Sequence, residues 1–326
     1  MITRRVALAN GLAGGLALTV IGRARPVEAL AALPQTPIAF RVPANATDCH
    51  THIHMDPAKF PWFEGRTYTP EPATPKEMAT LHERLRVKRV VIVTPSVYGP
   101  DNSATLAGMK ARGRNARGVA VIDNRTAVCE LDGMQDAGIV GVRLNLNTGG
   151  ANNDPVIGRQ RFEALVKRVR PLKWHVQIYT NLATITSIKD LVMASPVPIV
   201  FDHFGGARAN LGVEQPGFMD LLDLVRAGKA YVKISGAYRS SSQAPIYGDV
   251  APLARALIAA NDERILWGTD WPHPNSAPPK ERPVSEVTPL YQVDDGLLMN
   301  QLAVWAPNAD TREKILVDNQ DDLYKF

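Results

Sequence analysis

Asp48-Cys49-His50-Thr51-His52-Ile53-His54 ends the first apolar run of the chain, and its reading decides between two folds. A doubly wound open sheet would follow its first strand with a glycine-rich phosphate loop. Here the first strand runs into histidines instead. In a closed (β/α)8 barrel the catalytic groups project from the C-terminal ends of the strands. Alternate residues of a strand share a face, so His50 and His52 are expected to point together into such a barrel. His54 lies beyond the strand end.

Seven more short apolar runs follow: Arg89–Val97, Gly118–Asp123, Gly141–Asn147, His175–Thr180, Ile199–Gly205, Ala230–Ala237 and Arg264–Trp271. Most are rich in Val and Ile, as strands buried on both faces should be. Helical patterns separate them, among them Lys76–Leu85, Arg161–Arg170, Met219–Ala227 and Val250–Ala260. Eight βα units predict one α/β domain, a single (β/α)8 or TIM barrel, over residues 47–326. Residues 30–46, with Pro34, Pro37 and Pro43, read as an extended lead-in. The loop Met55–Thr74 mixes Pro57, Pro61, Pro70 and Pro72 with Phe60, Trp62, Phe63 and Tyr68. It is too apolar for a plain linker and is expected to cover the barrel mouth. A second proline-rich stretch, Trp271–Pro289, follows the eighth strand.

Hydrophobic residues make up 45% of the 326-residue chain and charged residues 21%, which favours a large core over disorder. The net charge is +5, but residues 1–29 hold Arg4, Arg5, Arg23 and Arg25 against Glu28. That net of +3 leaves +2 for the rest, so nothing points to nucleic acid as a partner. Arg4-Arg5 followed by the apolar Ala9–Gly22 resembles a twin-arginine export signal, with small residues for cleavage near Val27-Glu28-Ala29. The stretch is short for a membrane span. The expectation is a periplasmic protein with no span in its mature form. Cys49 falls in a strand and Cys129 in a helix, and both read as buried thiols.

Two other strand ends carry chemistry. The sixth ends Phe201-Asp202-His203-Phe204-Gly205-Gly206, where two glycines after a histidine permit close ligand approach. The eighth ends Trp267-Gly268-Thr269-Asp270-Trp271-Pro272-His273-Pro274. Asp270, a carboxylate between two tryptophans, is the candidate general base; desolvation and neighbouring imidazoles would tune it in opposite directions. His82, in a polar helix, and His175, at the wrong end of its strand, read as structural.

These motifs, Asp-Cys-His-Thr-His, Phe-Asp-His-Phe-Gly and Trp-Gly-Thr-Asp-Trp-Pro-His-Pro, resemble the amidohydrolase superfamily. More closely they resemble the 2-pyrone-4,6-dicarboxylate lactonase family, over about Thr47 to Phe326. The resemblance implies an amidohydrolase-type barrel that opens a carboxylated lactone, a pyrone dicarboxylate, muconolactone or aldarolactone, as a monomer or homodimer. It implies Asp270 as base for water, with His50, His52 and His203 polarising the carbonyl and holding the oxyanion. Arg143 and Arg239 match carboxylate-binding positions, for which a bidentate guanidinium is suited. Ser96, Tyr68, Tyr179 and His273 match further substrate contacts. One departure stands out: Asn147-Thr148-Gly149-Gly150-Ala151-Asn152-Asn153 carries no base where the pyrone lactonases carry a second arginine.

No cofactor is the leading expectation. A single Zn on His50, His52 and Asp270 is the alternative. A two-metal site is not expected, because the fourth strand offers Arg143 and the fifth ends Gln177-Ile178-Tyr179-Thr180. Rival readings are a lactone isomerase with a substrate hydroxyl as nucleophile, a metal-dependent decarboxylase of the same superfamily, and an exported binding protein without catalysis.

Overall fold

In a computed structural model that describes residues 31–147, 155–276 and 283–326, every predicted run contains a strand. The strands are β1 (Thr47–Thr51), β2 (Arg89–Val93), β3 (Ala116–Ala120), β4 (Ile139–Asn145), β5 (His175–Tyr179), β6 (Ile199–Phe201), β7 (Ala230–Ser235) and β8 (Ile265–Gly268). Neighbours in sequence pair in parallel throughout. The ring is drawn shut between β1 and β8, where Asp270 N donates to His50 O at 2.9 Å and His52 N to Trp271 O at 2.8 Å. The expected runs extend past the observed strand ends throughout, furthest in the second and sixth. Val97 and Phe204 are buried there, but in turns rather than in the ladder.

Helices wrap the ring. The first, α1 (Pro75–Leu85), starts where sequence rules say it should: Thr74 Oγ1 accepts from Glu77 N, the Glu77 carboxylate accepts from Thr74 N, and Pro75 opens the helix. The fourth interval helix begins at Pro155, six residues before the expected Arg161. Below the ring, the C-terminal Tyr324 and Leu323 pack with Cys49, Val91, Val119, Val200 and Leu266 and plug the barrel. Cys49 is buried as expected, but Cys129 is exposed, because Leu131 is the buried residue of its helix, Val128–Asp136.

The two proline-rich loops meet over the mouth. Thr69–Pro70 pairs in parallel with Val287–Thr288, and Leu290 N donates to Glu71 Oε2 at 2.9 Å. Residues 31–46 run along the helix Asp295–Trp305, held by Thr36 on Asp294 and Ala39 on Asn300. Among the described residues no helix is long and apolar enough to cross a membrane. The expected leader, residues 1–29, and the base-poor stretch after Asn147 lie outside the described residues.

Candidate active site

The pairing of β1 with β2 holds the local device that aims the histidines. Asp48 is opposite Val90 and Thr51 opposite Ile92, so β1 carries one extra residue between them, a β-bulge. Strict alternation would put Asp48, His50 and His52 on one face. The bulge breaks that phase: Asp48 turns out to His82 of α1, at 3.2 Å, while Cys49 and then His50 and His52 face inward. After β6 the chain reverses through His203 (φ 50°), Phe204 (φ 56°) and Gly205 (φ 66°). The glycines there serve packing rather than ligand approach. A Cβ on Gly205 would strike Leu221, and one on Gly206 would strike the Thr180 carbonyl. After β8, Asp270 also takes a left-handed backbone, φ 67°.

These three strand ends converge on one carboxylate. Asp270 Oδ1 lies 3.6 Å from His50 Nε2, 3.6 Å from His52 Nε2 and 3.7 Å from His203 Nε2. Among the described residues it makes no hydrogen bond, and neither does His50 Nε2. Oδ2, by contrast, accepts from Tyr238 Oη at 2.6 Å and from Arg239 Nε. Burial pushes the Asp270 carboxyl up, but Arg239 and the imidazoles outweigh it and hold it well below the usual carboxylate range. The imidazoles move the other way. Burial above all, then Arg143, lowers His52 to about 3; burial takes His203 to about 4 against the pull of Asp270; burial and then Lys233 take His50 well below its ordinary value. The site is one carboxylate among three neutral imidazoles.

What stands behind each ring governs its free nitrogen. His52 Nδ1 is 2.8 Å from Val93 O, a carbonyl that can only accept, so Nδ1 holds the proton and Nε2 is bare. His203 Nδ1 is 2.9 Å from Ser235 Oγ, which can serve either way. His50 Nδ1 is 3.3 Å from Lys233 Nζ. Single ligand atoms of His50, His52 and Asp270 lie within 4.8 Å of one another, and so do those of His50, Asp202 and His203, a spacing at which a metal ion has to be considered.

Above this floor is a hollow whose lining includes seven residues expected from the sequence, His52, Tyr68, Ser96, Arg143, Tyr179, His203 and Arg239, and also Asn145 and Ser276, which were not. Tyr68 comes from the loop over the mouth and bonds Ser96. The Arg143 guanidinium stacks on Tyr179 at 5.5 Å, with its Nε unpartnered among the described residues. Arg239 also reaches Pro274 O at 3.2 Å and Ser276 Oγ at 3.4 Å. His273 is the exception. It is not among the lining residues; wholly buried, it stacks behind Tyr238 at 5.6 Å and bonds Asp295 at 3.1 Å. His54 sits under the loop against Trp62, and His175 at the opposite end of the barrel against Tyr324. Sequence reasoning missed Tyr238, Asn145, Ser235 and Lys233. Tyr238 adjoins the noted Arg239, and a lone lysine in the apolar run Tyr231-Val232-Lys233-Ile234 was a signal in plain view.

A (β/α)8 barrel with an imidazole–carboxylate cluster at the C-terminal mouth is the architecture of a barrel enzyme. The chain belongs to the amidohydrolase family, whose profile matches residues 47–326. It is 34% identical over 288 residues to a 4-sulfomuconolactone hydrolase of Rhizobium radiobacter, covering 88% of this chain and 92% of that one. It is 33% identical to a 2-pyrone-4,6-dicarboxylate hydrolase of Comamonas testosteroni (87% and 92% covered) and 30% identical to a D-galactarolactone isomerase of Agrobacterium fabrum (87% and 92%). A crystal structure from Agrobacterium tumefaciens superposes with a TM-score of 0.72 at 28% identity, covering 90% of this chain and 98% of that one.

Proposed function

We propose that this enzyme opens the ring of a carboxylated lactone by hydrolysis. The observation that carries the reading is Asp270 Oδ1: charged, buried, without a hydrogen bond among the described residues, and faced by three imidazole nitrogens. Two arginines line the adjoining hollow, as an anionic substrate would require. Lactone-opening relatives at 33–34% identity support the same substrate class.

The reaction follows from the donors and acceptors. A water donates one hydrogen bond to Asp270 Oδ1 and the other to the bare Nε2 of His52. Asp270 takes its proton as the water oxygen attacks the lactone carbonyl carbon. The carbonyl oxygen becomes an oxyanion held by N–H groups of His50 and His203. Collapse breaks the ring C–O bond, and the proton on Asp270 passes to the departing oxygen. The net change is addition of one water to give a ring-opened acid. His52 thus takes a different part from the one its motif implies: neutral, with its proton on Nδ1, it has none to offer an oxyanion. Because Arg239 keeps Asp270 a weak base, the carboxylate works through placement.

Metal ions are common among amidohydrolases, and the natural ligands here would be His50, His52 and Asp270. Such a set needs bare nitrogens on both rings. His52 qualifies. His50 does not, because Lys233 stands behind its Nδ1, and Asp270 already carries the Arg239 cation. The residues present do not fit the ion, and no step is derived through one.

Isomerisation is the second reading, favoured by the isomerase relative at 30% identity. A substrate hydroxyl would replace water at the same residues, and the product would stay a lactone. A proton-release screen of 2-pyrone-4,6-dicarboxylate, muconolactones and aldarolactones, run on chelator-treated protein, separates the readings. Acid release that vanishes in Asp270→Asn is the expected result. Rearranged lactone without acid would favour the isomerase, turnover only with added metal would favour the metal-dependent readings, and no turnover on any ring would sink the proposal. We further propose export to the periplasm, from Arg4-Arg5 and the apolar stretch after them; replacing both arginines by lysine should leave a tagged chain in the cytoplasm.

A further inference from the structure

Behind the three imidazoles lies a side chain that the reaction does not use. Lys233, on β7, is 0% exposed. Its Nζ donates to Cys49 O at 2.8 Å and to Gln177 Oε1 at 2.7 Å, and lies 3.3 Å from His50 Nδ1 and 3.6 Å from Asp202 Oδ1. Gln177 turns its amide accordingly, giving Nε2 to Asp202 Oδ2 at 3.0 Å. A buried amine is costly unless charged partners and acceptors surround it, and Asp202 is the countercharge.

Proton counting then constrains His50. An ammonium has three protons and no acceptor. Two go to carbonyl oxygens, and the third is left for His50 Nδ1. Asp202 Oδ1 is also near that nitrogen, at 3.2 Å, but makes no hydrogen bond. An imidazole that accepts at Nδ1 carries its proton on Nε2.

We infer that Lys233 is a positioning residue that fixes His50 as its Nε2–H tautomer, turning it into a donor toward the reacting centre and withdrawing it from metal ligation. The same Nζ stands beside the inner group of His50, Asp202 and His203, so the protein's own cation takes the ground a metal ion there would need. His50 and His52, edge to face with ring centroids 5.0 Å apart, are thereby given opposite tautomers by what lies behind them. The donor role rests on the hydrolase reading; the tautomer does not.

The test is a long-range proton–nitrogen NMR spectrum of the full chain labelled with 15N-histidine, with His50 assigned by its loss in His50→Gln. The expected spectrum has a protonated Nε2 on His50 and a protonated Nδ1 on His52. A protonated Nδ1 on His50 in the wild type overturns the inference, whatever the lactone screen gives. Lys233→Met should move the His50 proton from Nε2 to Nδ1, where it donates to Asp202 Oδ1, leave Nε2 bare, and raise zinc uptake in equilibrium dialysis at least about tenfold. Lys233→Arg, which keeps a cationic donor, should retain the wild-type tautomer. A folded Lys233→Met protein with unchanged tautomer and zinc uptake overturns the inference; if that variant does not fold, the wild-type spectrum decides alone.

Discussion

Asp48 and Asp270 are both wholly buried carboxylates at the seam where β1 meets β8, and their partners differ completely. Asp48 Oδ1 accepts from the backbone N–H groups of His50, at 3.1 Å, and Thr269, at 3.0 Å. Its Oδ2 accepts from Thr269 Oγ1 at 2.6 Å and meets His82 at 3.2 Å. Both oxygens are met by donors fixed in the framework. Asp270 has one oxygen equally well fastened, by Tyr238 and Arg239, and the other with no hydrogen bond. Burial therefore does not separate these two carboxylates; the unmet lone pair does, and it is what supports Asp270 as the proposed base. Asp48 faces outward and locks the seam, while Asp270 faces inward and leaves one oxygen to the three imidazoles.

The largest expected effect tests that division directly. Asp270→Asn should lower kcat on the active lactone by about 10²–10⁴-fold, the range of a lost general base, with little loss of fold. Asp48→Asn should do the reverse. It weakens charge-assisted bonds and sets an amide donor against Thr269 or His82, costing roughly 1.5–3 kcal/mol, while kcat changes by less than about threefold. Steady-state kinetics and urea unfolding of the pair measure both. Equal loss of activity in the two variants would break the comparison.

How much of this was legible follows from the same seam. The eight strands were readable because parallel strands buried on both faces are written as unbroken apolar runs. His50 and His52 were placed on one inner face by alternation, correctly for the pair, yet the same count puts Asp48 with them. The bulge that separates them comes from pairing with β2, which no local pattern of β1 reveals. Similarly, His273 was placed at the mouth by its motif, but its partner Asp295 lies on a distant helix and draws it behind Tyr238. The glycines after His203 were visible, but not that they fit against Leu221 and Thr180. Residue types announce chemistry, whereas the group behind each ring, which sets donor against acceptor, is a tertiary fact.

Acid sensitivity sharpens the comparison at an intermediate scale. Burial lowers His52, His54 and His175 to about 3 and His203 to about 4, so each is neutral in the fold where the unfolded chain would be protonated. Below the ordinary imidazole value the unfolded state binds more protons, and stability falls with pH. The contribution is intact above about pH 6.5 and is lost as pH drops toward 3–4, each ring costing on the order of 1 kcal/mol per pH unit. Asp270, also depressed, adds its own loss only below the usual carboxylate range. Urea midpoints should therefore fall steeply from pH 6.5 to 4.5, before the carboxylates titrate. A flat profile across that window would mean that these rings are protonated in the fold, and the proposed division of donors and acceptors would fail with it.

The smallest effect isolates a close approach to the carboxylate itself. Gly236 opens the four-residue helix Ala237–Ser240 that carries Tyr238 and Arg239, at φ +58°. A Cβ there would lie 3.0 Å from both Asp270 Oδ2 and His203 Nδ1, and 3.4 Å from Arg239 Cδ. Gly212 shares the left-handed backbone, at φ +66°, but a Cβ on it would meet nothing within 4 Å. Both alanine variants bear the conformational strain, about 1 kcal/mol. Only Gly236→Ala also pushes on the carboxylate and the imidazole, which must give by a few tenths of an ångström. Gly212→Ala should therefore lose stability with kcat unchanged, while Gly236→Ala loses similar stability and about tenfold in kcat, since misplacement of this order disturbs a positioned base. Thermal melts and kinetics on the two proteins separate strain from crowding. If Gly236→Ala keeps full turnover, Oδ2 is not held as closely as its bonds to Tyr238 and Arg239 require, and the fastening of one oxygen could no longer explain the freedom of the other.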